Sequence, residues 1–546
     1  MAAPGTHLVA LALILALGAS ARAHLEQDAR SGTPRLLVVI VVDQMRFDYL
    51  DRFAKFARRG LKRLVNEGAV FERAAYPYAT TVTCPGHATI GTGTLPATHG
   101  IISNEWWSRA EGRRVLCTDD TSAISVPYVG AREPASHSAR RLRVPTLGDR
   151  LRAANPDARV VTLSMKPRSA TMLGGHAGTV TWFVDGTHGW ATSTAYAAKP
   201  LPEPQPFFAA NPIDRDRSAI WNLLNPSSFT GIDDAPGERP KRGWTRSFPH
   251  PLAGAPRTPD AQFYELWKCS PYANRYLAAM AIAQAQAFRL GQRDAVDLLG
   301  IGFSGLDCVG HDFGPDSAEV HDTVLRLDQS LGTLFDALDS SIGRNRYVVA
   351  LSSDHGVSPI PEQRQRQGAD AGRVLTPQVR TVAEAAMVSA HGAGPHIAAV
   401  MPPDIYFTPA THALVEKTPE AARPVIDAVS KMNGVMRVIA GRGLESKRKS
   451  SDPIERAAAL GYYAAESGDL IYLLKPEWIN GDSAAASHGS PHDYDQRVPV
   501  ILMGPPFKPG RYSSEASPAD IAPTLASTVG LKLSAVDGKV LSSAMR

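Results

Sequence analysis

Six aspartate and histidine residues have the types and positions expected of metal ligands. Each follows a short apolar run or a glycine-marked segment: Asp43, Asp307, His311, Asp354, His355 and His488. Three carboxylates and three imidazoles are enough to hold two divalent ions close together. We predict that Asp43, Asp354 and His355 hold one ion and that Asp307, His311 and His488 hold the other. Each residue alone is a weak signal, since an Asp after a strand often forms a turn, so the prediction depends on their joint placement.

A hydroxyl nucleophile for such a site is available in the segment TTVTCPGHATIGTG, residues 80–93. Thr83 precedes Pro85-Gly86, after which the sequence predicts the start of a helix. A hydroxyl at a helix N-terminus lies at the positive end of the helix dipole, and metal coordination lowers its pKa further. The alternative is an ordinary N-cap threonine, but the ligand candidates favour the nucleophile. His87 is predicted to be a structural histidine rather than a ligand.

The elements that must position these residues are predicted from continuous apolar runs. Strands are expected at residues 36–42, 159–164, 296–301, 347–351 and 498–503, and a helix at 317–338. Strands alternating with helices indicate an α/β fold with a largely parallel central sheet. Ligands in such folds bind beyond the carboxyl ends of the strands, where the six residues fall. Gly305 and Gly310 favour a loop around Asp307 and His311, in which both side chains turn toward one ion.

Two segments interrupt this alternation. Residues 186–285 are rich in Pro, Gly and Trp, and residues 360–484 combine a polar segment with a short strand–helix–strand pattern. We therefore predict core segments at 24–185, 286–359 and 485–546, separated by insertions at 186–285 and 360–484. Both insertions are expected to cap the active-site side of the core.

The N-terminus has the pattern of an export signal. Residues 8–17 form a short apolar run, and Ala21-Arg22-Ala23 resembles a cleavage site, which predicts a signal peptide at 1–23 and a periplasmic or secreted protein. A buried N-terminal helix is the alternative, because no Lys or Arg precedes the run. The run is too short to span a bilayer, and no other segment predicts stable membrane insertion.

The overall charge limits the partners of the chain. A net charge of +5 over 546 residues argues against binding to nucleic acid duplexes. The sequence is compatible with a monomer but does not determine the oligomeric state.

The cysteines are few: Cys84, Cys117, Cys269 and Cys308. Export permits disulfides, but four cysteines allow three complete pairings, and the sequence does not select among them. Cys84 and Cys308 adjoin predicted site residues, so a free, buried thiol at either position is an open alternative.

The chain resembles the alkaline phosphatase superfamily through an ordered set of motifs: Asp43, Thr83, Asp307-x3-His311, Asp354-His355 and His488. It is similar to the branch that contains nucleotide pyrophosphatase/phosphodiesterases and the phosphate-irrepressible, threonine-nucleophile alkaline phosphatases. The resemblance implies an α/β/α sandwich, two zinc ions, and Thr83 as nucleophile and metal ligand. Asp and His ligation alone would also accept manganese or iron. The sulfatases of the superfamily are disfavoured, because threonine stands at their nucleophile position and His87 where they need arginine.

Two further motifs indicate which phosphate ester the site accepts. Asn104, in THGIISNEWW, matches the family's asparagine that contacts a nonbridging phosphoryl oxygen; a turn residue is the alternative. Pro167 biases Lys166 toward extended geometry, so Lys166 and Arg168 are predicted to project to the same side. Two cations aimed together suit a dianionic phosphoryl group, although a solvated strand-end pair has the same pattern. The K-x-R pair resembles the monoesterases of the branch rather than its diesterases.

We therefore predict an exported, zinc-dependent alkaline phosphatase that hydrolyses small phosphate monoesters through a phosphothreonine intermediate. Thr83 attacks phosphorus, while Asn104, Lys166 and Arg168 bind the equatorial oxygens. Two alternatives stay open: a phosphodiesterase that acts on nucleotide diesters, and a catalytically silent protein that binds metals for structure.

Overall fold

The computed structural model describes residues 33–53, 55–253 and 260–546. The expected export signal at residues 1–23 lies outside the described residues. The strands are β1 Leu36–Val42, β2 Gly68–Ala74, β3 Glu105–Ser108, β4 Arg113–Leu116, β5 Ser125–Val129, β6 Val160–Ser164, β7 Thr179–Val184, β8 Gly189–Ser193, β9 Ile220–Trp221, β10 His250–Pro251, β11 Asp297–Phe303, β12 Tyr347–Ser352, β13 Gly372–Val374, β14 Ile397–Met401, β15 Asp404–Phe407, β16 Val435–Ala440, β17 Leu470–Leu474, β18 Trp478–Asn480, β19 Val500–Met503 and β20 Gly510–Ala516.

The α-helices are α1 Asp48–Phe53, α2 Gly60–Glu67, α3 Thr83–Thr92, α4 Pro96–His99, α5 Leu147–Ala154, α6 Pro167–Gly174, α7 Gln205–Ala210, α8 Ala261–Lys268, α9 Pro271–Ala287, α10 Gly305–Phe313, α11 Ala318–Ser341, α12 Pro361–Arg366, α13 Thr376–His391, α14 Pro409–Lys417, α15 Arg423–Ser430, α16 Pro453–Gly461, α17 Asp493–Gln496 and α18 Ile521–Thr528. Short 3-10 helices lie at Ile213–Asp216, Pro226–Ser228, Pro419–Ala422, Leu444–Lys447, Pro518–Asp520 and Ser542–Ala544. Within the described ranges, none of the helices combines the length and apolar character that a membrane crossing requires.

Ten strands form one large sheet in the order β20-β2-β19-β12-β1-β11-β6-β7-β8-β5. The five central strands, from β12 to β7, are parallel, whereas β19 and β8 run antiparallel to their neighbours. Because β1 lies between β11 and β12, the carboxyl ends of these three strands meet at one end of the sheet. The predicted α/β fold with a largely parallel sheet is confirmed.

Strand β1 shows why helices cover both faces of the sheet. All seven of its residues are buried, and alternate residues of a strand point to opposite faces. Leu36 and Val38 enter one core together with residues of α2, α9 and α11. Leu37 and Val39 enter the other core, with residues of α5, α6 and α18. The result is a three-layer α/β/α sandwich.

The predicted helix at 317–338 is α11. Ser317 caps it, because its Oγ accepts a hydrogen bond from the Val320 N–H at 3.2 Å. Its apolar stripe, which includes Val320, Val324 and Leu331, is buried against the sheet. The periodic spacing of apolar residues therefore identified both the helix and its buried face.

Residues 360–484 contain a separate four-stranded antiparallel sheet in the order β14-β15-β17-β16. Helices α13 and α15 share an apolar core with it. The strand–helix–strand pattern predicted there corresponds to β15, α15 and β17. Residues 186–285 are different, because β8 belongs to the large sheet and α9 packs beside it. The division of the chain into core segments and insertions stays a prediction.

Candidate metal centre and active site

The parallel strands β1, β11 and β12 position five of the six predicted ligands, and His488 joins them from the segment between β18 and α17. Asp43 directly follows β1, Asp354 and His355 lie just beyond β12, and Asp307 lies in α10, which follows β11. Asp43, Asp354 and His355 each place a ligand atom within 4.8 Å of the others. Asp307, His311 and His488 do the same. The structure thus forms two adjacent groups with the memberships expected from the sequence.

The loop predicted around Asp307 and His311 is wrong, because Gly305–Phe313 is a helix, α10. The two glycines serve close packing rather than a turn. A Cβ on Gly305 would lie 2.9 Å from the Asn274 side chain, and one on Gly310 would lie 1.8 Å from Oε1 of Gln44. Asp307 and His311 are four residues apart and therefore share a helix face.

Backbone carbonyls orient the three imidazoles of the site. Nδ1 of His311 lies 2.8 Å from the carbonyl oxygen of Ala486. The corresponding distances are 2.9 Å from His355 to Gly356 and 3.0 Å from His488 to Thr81. A carbonyl oxygen can only accept, so Nδ1 carries the proton in each contact. In the neutral imidazole Nε2 then carries the lone pair, and each of the three Nε2 atoms lies within 3.7 Å of a carboxylate oxygen of the site, the arrangement found around metal-binding histidines.

The spacing of the ligand atoms fits small divalent ions. His355 Nε2 lies 3.4 Å from Asp43 Oδ1 and 3.6 Å from Asp354 Oδ2. Asp43 Oδ1 and His355 Nε2 are buried without a hydrogen-bond partner within the described chain, whereas Asp354 Oδ2 also lies 3.2 Å from Nδ1 of His87. Two ligands of a tetrahedral zinc ion with bonds of about 2.0 Å lie about 3.3 Å apart. The residues therefore fit a cation that would satisfy all three atoms.

The second group has the same spacing. Nε2 of His311 lies 3.3 Å from Asp307 Oδ1, and Nε2 of His488 lies 3.7 Å from the same oxygen. The imidazoles of His488 and His355 stack with their centroids 3.5 Å apart. A side chain of one group is thus in direct contact with a side chain of the other.

The buried carboxylates and imidazoles perturb one another electrostatically. Burial, reinforced by Asp307 and Asp354, raises the pKa of Asp43 well above its usual value. Burial, together with His355 and His311, lowers the pKa of His488 well below its usual value. A neutral imidazole is the form that binds a metal, and nearby positive charge would lower the raised pKa of Asp43.

Lys166 supplies part of that positive charge in this structure. Its Nζ lies 2.5 Å from Asp43 Oδ2 and 2.6 Å from Asp307 Oδ2. Although burial opposes ionisation of Asp307, Lys166 and His311 hold the pKa of its carboxyl well below its usual range. The ammonium of Lys166 therefore joins one carboxylate of each group.

Gln44 is a site residue that the sequence did not reveal. Its Nε2 donates to Asp307 Oδ1 at 2.7 Å, and its backbone N–H donates to Asp354 Oδ1 at 3.2 Å. Gln44 thereby contacts a carboxylate of each group. Its φ of 67° lies in the left-handed region, which costs a non-glycine residue about 1–3 kcal/mol. The available signal was its position directly after Asp43.

Thr83 is the first residue of α3, and it is 1% exposed. Gly86 lets this first turn approach Asp354, because a Cβ there would lie 2.3 Å from the Asp354 carbonyl oxygen. Nδ1 of His87 lies 3.0 Å from Thr83 O and 3.2 Å from Asp354 Oδ2. These contacts hold the start of α3 against a member of the first group. The expected structural histidine thus lies beside the site.

Lys166 has the extended backbone expected before a proline, with φ −106° and ψ 126°. Arg168 does not, because it lies in the first turn of α6. Pro167 is the first helical residue, where its fixed φ and missing N–H favour a helix start. Both cationic side chains still line one cavity of about 510 Å³, together with Asp307 and His311.

Asn104 and Arg168 line a second cavity of about 390 Å³. The Cys84 N–H donates to Asn104 Oδ1 at 2.8 Å, which fixes the orientation of the amide. Because the oxygen is occupied, the NH₂ group is the end that can donate to a ligand. Asn104 is therefore oriented as a hydrogen-bond donor.

The cysteines form two disulfides, Cys84–Cys117 and Cys269–Cys308. The alternative of a free thiol at Cys84 or Cys308 is therefore wrong. One cysteine of each pair is the sequence neighbour of a predicted site residue, Thr83 or Asp307.

Comparison with known proteins gives a consistent set of matches. Residues 37–495 match the model of the family described as type I phosphodiesterase / nucleotide pyrophosphatase. Alkaline phosphatase PhoV of Synechococcus elongatus is 32% identical over 521 residues, covering 94% of this chain and 93% of PhoV. Alkaline phosphatase PafA of Elizabethkingia meningoseptica is 30% identical over 515 residues, covering 91% of this chain and 92% of PafA.

The solved structures agree with the sequence matches. The crystal structure of wild-type PafA superposes with a TM-score of 0.87 at 30% identity, covering 94% of this chain and 99% of that one. A PafA variant with a threonine, an asparagine, a lysine and an arginine replaced has a TM-score of 0.85 at 29% identity, with the same coverage of both chains.

Proposed function

Because this chain belongs to the type I phosphodiesterase / nucleotide pyrophosphatase family, we propose that it is a zinc-dependent alkaline phosphatase. It hydrolyses phosphate monoesters through a phosphothreonine intermediate on Thr83. The family membership confirms the resemblance to the alkaline phosphatase superfamily. Relatives named alkaline phosphatases that match over nine-tenths of the chain support a phosphoric monoester hydrolase.

The K-x-R pair is the observation that favours monoesters over diesters. Lys166 and Arg168 line one cavity with Asp307 and His311, and a monoester carries about two negative charges near neutral pH. The four residue types replaced in the PafA variant recur here with the same spacings along the chain, as Thr83, Asn104, Lys166 and Arg168. That recurrence supports treating the four residues as one functional set.

Asp43, Asp354 and His355 would hold one zinc ion, and Asp307, His311 and His488 the other. Bound there, the ions would supply Lewis-acid stabilisation of the attacking and leaving oxygens. The number and identity of the ions are part of the proposal. The unpaired Oδ1 of Asp43, and the position of Nε2 of His311, His355 and His488 beside carboxylate oxygens, support it.

Thr83 Oγ1 gives up its proton and attacks phosphorus, and the bond between phosphorus and the alcohol oxygen breaks. The leaving alkoxide takes up a proton and departs as the alcohol, so that the phosphoryl group is esterified to Thr83. Water then hydrolyses this ester, which releases inorganic phosphate and restores the hydroxyl. The N-terminal position of Thr83 in α3 favours the negative charge that develops at its oxygen.

Three side chains bind the transferred phosphoryl group. Asn104 donates from its free NH₂ group, and Arg168 binds through its guanidinium. Lys166 exchanges partners: it neutralises Asp43 and Asp307 in this structure, and it is available to a phosphoryl oxygen once cations neutralise those carboxylates. All three stabilise the charge on the equatorial oxygens in the transition state.

The proposed location is the periplasm or the exterior of the cell. The cleavable pattern at residues 1–23 and the two disulfides support it. The proposed substrates are small phosphate monoesters.

The test is a comparison of esters with the zinc-loaded mature chain. We expect kcat/KM for an aryl phosphate to exceed that for its methyl or phenyl diester. A diester preference of tenfold or more would favour the phosphodiesterase alternative. Replacement of both Lys166 and Arg168 by Ala should reduce monoester turnover much more than diester turnover, and equal losses would remove their proposed role.

A second experiment tests the silent metal-binding alternative. Incubation with a ³²P-labelled monoester and an acid quench should trap label on the parent chain, and peptide mapping should place it at Thr83. Thr83→Ser is the matched variant that keeps a hydroxyl and should keep the label, whereas Thr83→Ala should lose it. A zinc-loaded parent with no turnover of any ester would support the silent alternative.

A further inference from the structure

The two cysteines of the disulfide Cys84–Cys117 hydrogen-bond both oxygen atoms of Asn104. The Cys84 N–H donates to Asn104 Oδ1 at 2.8 Å, and the Cys117 N–H donates to Asn104 O at 2.9 Å. The two residues that grip the side chain and the main chain of Asn104 are thus covalently joined to each other. We propose that this cystine is a positioning element of the active site, which keeps the Asn104 amide in place relative to Thr83.

The disulfide Cys84–Cys117 joins two elements that differ in their place in the fold. Asn104 and Cys117 flank the hairpin formed by β3 and β4, which pair only with each other in the described part of the chain. The hairpin therefore lacks the ladder of hydrogen bonds that fixes the strands of the large sheet. Cys84, by contrast, is the second residue of α3, whose start packs against Asp354. The disulfide connects this hairpin, which Trp106 also anchors through a 2.7 Å hydrogen bond to Glu466, to the helix that carries Thr83.

Packing around the disulfide supports a positioning role. Cys84 and Cys117 are 0% and 1% exposed, and their apolar cluster includes Met172 of α6, the helix that carries Arg168. The cystine therefore lies among three elements that carry Thr83, Asn104 and Arg168. A shift of about 1 Å between catalytic groups can cost a factor of about 100 in rate, so a covalent link at this point constrains the geometry of catalysis.

The competing explanation is that the disulfide only stabilises the fold, and the second disulfide provides the matched control. Cys84 and Cys117 are 33 residues apart, and Cys269 and Cys308 are 39 residues apart. Loops of such similar length lose similar chain entropy on closure, so a general loss of stability should be alike for both. Only Cys84–Cys117 contacts Asn104 through its backbone N–H groups.

The inference rests on the proposed function, and its test combines kinetics with a measurement that needs no activity. The kinetic arm compares Cys84→Ala/Cys117→Ala in the parent and the Asn104→Ala backgrounds, using the zinc-loaded chain and 4-nitrophenyl phosphate well below the unfolding temperature. We expect a fivefold or larger loss of kcat/KM with Asn104 present and less than a twofold loss in the Asn104→Ala background. The control pair Cys269→Ala/Cys308→Ala should give the same factor in both backgrounds.

The second arm is amide hydrogen exchange of residues 104–117 in the protein without added zinc. We expect protection to fall at least tenfold on loss of Cys84–Cys117 and to be unchanged on loss of Cys269–Cys308. If the alanine pair does not fold, Cys84→Val/Cys117→Ala keeps more of the buried apolar volume and replaces it in both arms. Equal kinetic losses in the two backgrounds, or unchanged protection of residues 104–117, would overturn the proposal. An inactive parent with the expected loss of protection would refute the phosphatase assignment and leave the positioning role standing.

Discussion

Lys166 should stabilise the protein strongly without zinc and weakly with it. Its side chain is 18% exposed, and its partners Asp43 and Asp307 are 1% and 8% exposed. Removal of one partner from a buried ion pair costs about 3–5 kcal/mol, because uncompensated charge stays behind. Burial already raises the pKa of Asp43, so in the variant without Lys166 this carboxyl can take up a proton. That protonation reduces the loss of stability. We expect Lys166→Met to lower the free energy of unfolding by about 3 kcal/mol in chelator.

Zinc changes this expectation because bound cations supply the missing counter-charge. In excess zinc the same substitution should cost about 1 kcal/mol, an ordinary value for a partly buried side chain. The measurement is urea unfolding followed by tryptophan fluorescence, in chelator and in zinc. The control is Arg63→Met, because the Arg63 side chain is 15% exposed and pairs with Asp339 at 2.9 Å, and neither residue lines the cavity that contains Lys166; its cost should not depend on zinc. Equal losses for Lys166→Met in both conditions would refute the reasoning.

Three other substitutions test separate parts of the structure. Thr83→Ala should lower monoester kcat at least 1000-fold, as expected for a lost nucleophile, while Thr83→Ser retains measurable turnover; stopped-assay kinetics decide this. Gly86→Ala should weaken both stability and activity, because its Cβ would lie 2.3 Å from the Asp354 carbonyl oxygen; unchanged unfolding and kcat would contradict that close approach. Burial raises the pKa of Glu319 to about 9. Between the ordinary pKa of a glutamate and pH 9, Glu319 is therefore protonated in the folded chain and ionised in the unfolded chain. The free energy of unfolding should fall as the pH rises through this range, by up to about 1.4 kcal/mol per pH unit. Glu319→Gln should flatten that slope, as measured by urea unfolding from pH 6 to 9; an unchanged slope would rule out this carboxyl as its cause.

Much of the fold was predictable because its central strands are continuous apolar runs. The seven residues of β1 are all apolar, which is the pattern of a strand covered on both faces, and the structure buries all seven. The position of Asp43 at its carboxyl end then followed from topology, since parallel strands present their carboxyl ends together. The same reasoning placed Asp354 and His355 after β12.

The wrong structural prediction concerned glycine, which occurs both in loops and in helices that pack closely against neighbouring side chains. Gly305 and Gly310 suggested a loop, yet both lie in α10. Glycine is needed at these helical positions because neighbouring side chains leave no room for a Cβ. That crowding comes from Asn274 and Gln44, which are distant in sequence. The disulfide pairing was likewise undetermined, since any pairing of the four cysteines satisfies the sequence. Gln44 could not be found because its role depends on a left-handed backbone between two carboxylates.

The order of the predicted ligands along the chain determines when each becomes available as the chain is made. His488 follows the four-stranded sheet of residues 360–484 in sequence, whereas Asp307 and His311 precede it. A growing or translocating chain therefore reaches its last predicted ligand only after that whole unit has emerged. Until then the second group has an aspartate and one imidazole, too few ligands to retain a cation tightly. If the proposed assignment holds, the second group would be complete for metal binding only after residues 360–484 have been made.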